Sequence, residues 1–423
     1  MKNNQLKILF IFCFLILSIL QFNNVFANDD LDLTCKSHIA INADDNTVLF
    51  DHHANERIYP ASTTKILTAI IAIEKLDLNE EIVITKEMVD QIPYDSSVMG
   101  IMTDEIYTVK DLLYGLLLVS GNDVAIVLAD RISGDMNSFA ILMNEKLEEI
   151  GCKNTHFVNS HGYHDDNHYT TAYDMALIFS YCLKNDTFKE MISTRQMTVT
   201  PINNKERIFV LDNSNYMLYE DSGVYCPEIK GGKTGFTYEA LGTFIGYATK
   251  GDMTIIIGSF GGLLDGNNLS SRFSDTLKIS NYIFDHYEKT LIAQKGDYAF
   301  SLTDLNTSKI YTVGLSEDLY GVVPKNYIAD YSVNMNPPYN TLLYNTSNIG
   351  SITINFPLNH LSYTKELSIL SYTNYYDSSQ ILIYLTITIV LLLIVAKLEQ
   401  IIKNKRKRIN YKYKHRKLLN IPK

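Results

Sequence analysis

Apolar residues recur at helical spacing in five stretches between residues 65 and 183. After Pro60, KILTAIIAIEKL is apolar on nearly every side, the pattern of a helix buried in a core. VKDLLYGLLLV (109–119) predicts a second helix, and DVAIVLADRI, after a break at Ser120-Gly121, a third. Asn137–Ile150 predicts a fourth, closed by Gly151 as a C-cap, and Thr170–Leu183 a fifth. Residues 36–52 read instead as short strands around an Asp-Asp-Asn turn. Between Cys226 and Gly261 come three strand-like stretches, KGGKTGFT, ALGTFIGYAT and MTIIIGSFG, and Arg272–Tyr287 returns to a helical period. Helices lying between strands at both ends predict one sheet covered by helices. From residue 295 to 376, short Tyr, Ile, Val and Leu runs alternate with Asn, Asp, Ser, Gly and Pro, which predicts a small all-β domain.

Both ends read as membrane signals. Lys2 and Lys7 precede an apolar run, Ile8–Leu20, and Val25-Phe26-Ala27 offers small residues at a cleavage site, so residues 1–27 predict a secretory signal peptide. Ile381–Ala396 is an uncharged run of 16 residues. It covers about 24 Å as a helix, and Gln380 and the stem of Lys397 extend it across a bilayer. Residues 397–423 then hold eleven Lys or Arg against Glu399 alone, which places that tail in the cytoplasm and the body outside. The organisation expected is therefore signal peptide 1–27, catalytic domain 28–290, all-β domain 291–376, membrane helix 380–397 and basic tail 398–423.

With 46% hydrophobic and 20% charged residues the chain is a folding one, not a disordered one. The net charge of -10, despite the basic tail, makes the body acidic and argues against nucleic-acid binding. Cys35, Cys152, Cys182 and Cys226 remain after the signal peptide; they contain no C-x-x-C pair, and either two disulfides or buried thiols fit an exported body.

Three short motifs carry chemistry. In Ser62-Thr63-Thr64-Lys65 the serine and lysine share a helical face, and burial of the lysine favours the neutral amine that a serine nucleophile needs as base. Ser120-Gly121-Asn122 sits in a break between two apolar helices, where it fits a proton relay and a substrate-binding amide, or equally a glycine C-cap and an asparagine N-cap. Lys233-Thr234-Gly235, with Phe236 and Thr237 after it, reads as a strand edge suited to pairing with an extended peptide. Each motif is ordinary alone. In this order, S-x-x-K, S-x-N and K-T-G are the signature of penicillin-binding proteins and β-lactamases.

The chain resembles the serine D-alanyl-D-alanine carboxypeptidases, the low-molecular-mass penicillin-binding proteins, over about residues 36–376. The likeness extends to Tyr59–Lys65, to Asp111–Asn122, to Asn159–Ala172 with Ser160 in place of a proline and Thr170 in place of a serine, to Asn213-Ser214-Asn215, and to Arg272. It implies an α/β (α+β) fold: a β-lactamase/transpeptidase-like domain with an antiparallel sheet flanked by helices, then the small all-β domain and a C-terminal transmembrane helix.

It also implies roles. Ser62 is acylated, Lys65 is the general base, Ser120 passes the proton to the leaving amine and Asn122 orients the acyl side. Lys233 is an electrostatic partner, Thr234 and Arg272 hold the terminal carboxylate, and the strand through Gly235, Phe236 and Thr237 lines the substrate, with Ser62 and Phe236 N–H groups as the oxyanion hole. The expected partners are peptidoglycan stem peptides, β-lactams as covalent inhibitors and the membrane, with no cofactor and no nucleic acid. His161, His164, His168, Asp165 and Asp166 have metal-ligand spacing, but His161 and His168 fall on loop positions of a family that needs no metal. One departure concerns the cleft: Leu241 is inserted between Ala240 and Gly242, where the family has an alanine-glycine pair. A β-lactamase, a D,D-endopeptidase and a catalytically weak wall-binding protein are the alternatives. No E-x-x-L-N-like deacylating glutamate lies between the second and third motifs, which speaks against the first.

Overall fold

The computed structural model describes residues 31–263, 271–297, 300–304, 309–326, 328–335, 350–356, 361–374 and 378–418. The expected signal peptide lies outside the described residues. The chain divides into two compact units. One comprises the residues up to Ile292 with Tyr320–Ser332 and Ile354–Tyr363; the other comprises Ala293–Leu319, Val333–Thr353 and the residues from Thr364 on.

The first unit is built on a five-stranded sheet, order β2-β1-β9-β8-β7, every pair antiparallel. Its strands are β1 (Ser37–Asn42), β2 (Val48–His52), β7 (Ile229–Thr237), β8 (Leu241–Lys250) and β9 (Met253–Gly262). All of β1 is buried and β9 nearly so, because helices cover both faces. On one face Ile39, Ile41, Ile245, Tyr247 and Ile256 join a core with the helices between residues 65 and 193. On the other, Phe244 packs on Phe273 of α8 (Ser271–His286).

The helical layer consists of α1 (Lys65–Lys75), α2 (Lys86–Val89), α3 (Val109–Leu117), α4 (Asn122–Ser133), α5 (Met136–Ile150), α6 (Ala172–Leu183) and α7 (Asp186–Ser193). Their boundaries are chemical. Thr108, Asp135 and Thr171 accept the first free N–H groups of α3, α5 and α6, and Gly134 and Gly151 close α4 and α5 in the left-handed conformation. The antiparallel strand pairs β3/β4 (Glu81–Val83, Ile106–Thr108) and β5/β6 (Gln196–Val199, Phe209–Asp212), with α2 and α7, are elements that the hydrophobic pattern does not mark. Cys35, Cys152, Cys182 and Cys226 are free and buried, so among the described residues the thiol alternative holds and not the disulfide one.

The region after residue 286 is β10 (Tyr287–Ala293), β11 (Phe300–Asp304), β12 (Lys309–Leu315), β13 (Leu319–Pro324), β14 (Asp330–Met335), β15 (Gly350–Phe356) and β16 (Leu361–Asn374). In the second unit β12 pairs antiparallel with β11 and with β16. Helix α9 (Ser378–Leu418) is longer than the expected span, since helix continues through the basic residues to Leu418. Within it Leu382–Arg406 contains an 18-residue window with a mean hydropathy of 2.3, and none of that window is buried against protein.

Candidate active site

Ser62 stands in a 3-10 turn, Ala61–Thr64, that runs directly into α1. Ala61 is held at φ +48°, a conformation that costs a non-glycine residue about 1–2 kcal/mol. The spacing of three places Lys65 Nζ 2.9 Å from Ser62 Oγ. Nζ also reaches Asn122 Oδ1 at 2.6 Å and the His161 carbonyl at 2.7 Å. A neutral amine has two hydrogens and one lone pair. The amide oxygen and the carbonyl take the hydrogens, and the lone pair is left for the serine. Lys65 is wholly buried; burial, and then the nearby Lys233 charge, push its pKa well below the usual lysine range, with the Asp123 charge opposing them.

The Ser62 turn is held from behind by residues 156–168. Gly162 packs so closely on Ala61 that a Cβ would stand 1.9 Å from the Ala61 carbonyl oxygen. His168 stacks on Phe157 and bridges to Thr64: the Val158 N–H donates to Nδ1, leaving Nε2–H to donate to Thr64 Oγ1 at 2.8 Å. Burial pushes the pKa values of His161 and His168 down to about 3, so both rings are neutral. Ser160, where the family pattern has proline, donates from Oγ to the Ala125 carbonyl, and its own carbonyl accepts from Thr68. Of the expected histidine group, His161 accepts the Tyr163 N–H and His168 holds Val158 and Thr64, while His164 lines the cleft with Nδ1 buried and unbonded among the described residues. Among the described residues Cys35, His38 and Asp275 bring ligand atoms within 4.8 Å of one another. Asp275 Oδ2, however, already accepts from the N–H groups of Thr34 and Cys35 and from His38 Nε2. Burial and the Asp275 charge push the Cys35 thiol up, so this group is a clamp between β1 and α8.

The second motif forms the next wall. Ser120, at φ +63°, and Asn122 stand at the start of α4, and Ser120 Oγ is buried with no hydrogen-bond partner among the described residues. The third wall is β7, the edge strand of the sheet. Lys233 is buried on one side of it and donates to the Thr234 carbonyl; burial and then Arg272 push its pKa down to about 7. Thr234 faces the cleft and shares a 2.6 Å hydrogen bond with Ser214 of the Asn213–Asn215 element. A Cβ on Gly235 would stand 2.8 Å from Ser62 N and 2.5 Å from Thr243 Oγ1, so glycine lets the strand lie on the Ser62 N–H. Arg272 Nη1 donates to the Gly235 carbonyl at 2.6 Å, and burial lowers its pKa to about 10. Leu241 is taken up at the end of a three-residue turn, at φ +60°, paired with Thr237. The irregularity falls between Gly242 and Thr243, and Gly235 keeps its partner Thr243.

Ser62, Ser120, Asn122, Thr234, Gly235, Phe236, Thr237 and Arg272 all line one cleft of about 530 Å³, with Lys65 and Lys233 buried beneath its walls. The family model for D-alanyl-D-alanine carboxypeptidases, peptidase family S11, matches residues 24–262. The chain belongs to this family. It is 32% identical over 260 residues to the D-alanyl-D-alanine carboxypeptidase DacF of Bacillus subtilis, a match that covers 60% of this chain and 63% of that protein. It is 33% identical over 257 residues to a D-alanyl-D-alanine carboxypeptidase of Streptomyces, covering 58% of this chain and 85% of the relative. Among solved structures, penicillin binding protein 5 from Haemophilus influenzae superposes with a TM-score of 0.68 over 80% of this chain and 97% of that one. At 23% identity that likeness concerns the fold. The Streptomyces K15 DD-transpeptidase superposes with a TM-score of 0.54 at 30% identity, over 60% of this chain and 98% of that one. The fold class is the one that the carboxypeptidase resemblance implied.

Several cleft residues carry no signal in the sequence. Asp95, Ser96 and Ser97 line it from an irregular segment, and Tyr163, Tyr238 and Glu239 stand at its mouth. Asp123 follows the second motif and looks like an ordinary acidic residue at a helix start. The Thr64–His168 bridge spans 104 positions.

Proposed function

We propose that this chain is a membrane-anchored serine D-Ala-D-Ala carboxypeptidase that removes the terminal D-alanine from peptidoglycan stem pentapeptides. The observation that carries the reading is the buried Lys65 amine, 2.9 Å from Ser62 Oγ and with its hydrogens committed to Asn122 and His161. Ser62 Oγ attacks the carbonyl carbon of the penultimate D-alanine while Lys65 Nζ takes its proton. The oxyanion meets the N–H groups of Ser62 and Phe236, each worth about 3–4 kcal/mol in such a site. Ser120 returns the proton to the leaving amine, and D-alanine departs. Asn122 orients the acyl side, and Thr234, Arg272 and the Lys233 charge receive the free carboxylate, the group that makes the reaction a carboxypeptidase one. Water then hydrolyses the ester. Penicillin forms the same ester and leaves slowly. The signal peptide exports the body, α9 anchors it, and the basic residues stay on the cytoplasmic side.

The test is D-alanine release from a D-Ala-D-Ala-ended pentapeptide by the full chain in detergent, with Ser62→Ala beside it. Release by the parent, and a loss of about 10⁴-fold or more in the variant, is expected. No release by the parent overturns the reading in favour of cross-link cleavage, β-lactam hydrolysis or wall binding.

A further inference from the structure

The segment from Asp95 to Ile101 has neither helix nor strand to hold it, and its first residues, Asp95, Ser96 and Ser97, form one wall of the cleft. Its backbone converges on one side chain. The N–H of Met99 donates to Asp123 Oδ1 at 3.0 Å, and those of Gly100 and Ile101 to Oδ2 at 2.7 and 3.2 Å. Val124 N–H adds a fourth bond at 2.9 Å, and the side chain is 1% exposed. The same segment is tied to the second motif by Asn122 N–H, which donates to the Ser97 carbonyl at 2.8 Å. Gly121 lies against it, since a Cβ there would stand 3.2 Å from Met99 N. On its outer side Arg207 Nη2 donates to the Gly100 carbonyl at 2.7 Å, and Nη1 pairs with Glu105.

We propose that Asp123 is a positioning residue for the acylation step: it locks the 95–101 wall onto Ser120–Asn122 and brings a negative charge beside the Lys65 site. The inference rests on the acyl-enzyme reading given above. Asp123 acts through its neighbours, because Asn122 Oδ1 is the group that holds Lys65 Nζ at 2.6 Å. Four N–H donors, two on each oxygen, define an acceptor-only site. An asparagine there must turn its amide hydrogens onto two of them whichever way it faces. The charge matters separately. Lys65 faces Ser62 on its own turn, Asn122 and Asp123 on α4, neutral His161 and His168 on the loop, and Lys233 on β7. Of these groups Asp123 is the one that favours protonated Lys65, while Lys233 and burial disfavour it.

The experiment is the second-order rate of penicillin acylation of the full chain in detergent, followed across the acid limb of its pH profile. Asp123→Asn is expected to lower the rate about 10²-fold and to move the acid limb to lower pH, because loss of the anion makes Lys65 easier to deprotonate. Arg207→Ala loosens the same segment from outside; it lowers the rate and leaves the limb in place. Asp123→Glu keeps the charge, so its limb stays with the parent's even if its rate falls, and it carries the test if the asparagine variant does not fold. An Asp123→Asn rate and limb equal to the parent's, a fall in rate without a shift of the limb, or a shifted limb in Asp123→Glu overturns the proposal. A parent that forms no Ser62-dependent ester overturns the acyl-enzyme reading, and this inference with it.

Discussion

The cleft and the clamp between β1 and α8 are both buried polar clusters, and their charges are balanced in opposite ways. In the clamp, Asp275 meets Thr34 N–H, Cys35 N–H and His38 Nε2. Burial alone would raise its pKa; the bonds from His38 and the backbone outweigh that and hold it at about 2. In the cleft, Lys65 and Lys233 are buried with oxygen acceptors but in no ion pair among the described residues. Burial pushes both pKa values down, and Ser120 Oγ has no partner among the described residues. Ala61 and Ser120 also hold left-handed backbone there. In the clamp the fold completes the Asp275 carboxylate, although His38 Nδ1 has no partner among the described residues, whereas in the cleft the two amines are buried without a counter-ion. Changes in the first region should cost stability, and changes in the second, activity.

Asp275→Ala is the largest test of that division. It strips a partner from two backbone donors and a buried imidazole, so it should cost about 3 kcal/mol or more in thermal unfolding. Acylation by penicillin, measured well below the melting temperature, should stay within about twofold of the parent. A large loss of activity with unchanged melting would break the comparison. Gly235→Ala probes the other region. Its Cβ falls 2.8 Å from Ser62 N and 2.5 Å from Thr243 Oγ1, so the acylation rate should drop about 10²-fold as the strand moves off the nucleophile.

The pH dependence of stability sharpens the contrast. The folded pKa of Asp275 lies below the unfolded one, so its contribution is complete at neutral pH and is lost as pH falls from about 4 through about 2. Its size is about 2 kcal/mol, and an acid melting series on the parent and Asp275→Ala should show it in the parent alone. The smallest effect lies at Leu241, held at φ +60°. Leu241→Gly should raise stability by about 0.5–1 kcal/mol in denaturant unfolding, since relief of the left-handed strain exceeds the added chain entropy. D-alanine release should not change, because the bulge leaves Gly235 paired with Thr243.

The sequence foretold what depends on local periodicity. The apolar stretches at 65–75, 109–117, 122–133 and 172–183 are helices, and the three strands between 229 and 262 are adjacent in one sheet. Serine and lysine three positions apart meet because the helix brings them onto one face. What stayed illegible depends on long-range partners or on short elements. Lys86–Val89 is too short for a period, and β3 and β4 have three residues each. Asp123 has an acidic residue's ordinary place at a helix start, and only the fold brings Met99, Gly100 and Ile101 to it. Thr34, Cys35 and His38 find Asp275 across some 240 positions. The positive φ at Ala61 leaves no trace in residue type.

In the proposed reaction a buried neutral lysine activates a serine. The most direct measurement is the intact mass of the full chain after brief exposure to benzylpenicillin, with Lys65→Met beside the parent. One covalent adduct is expected, mapped to Ser62 in the parent, with an acylation rate lower by about 10⁴-fold in a folded Lys65→Met protein. Labelling of Ser62 at the parent rate without Lys65, or labelling elsewhere, would contradict that mechanism.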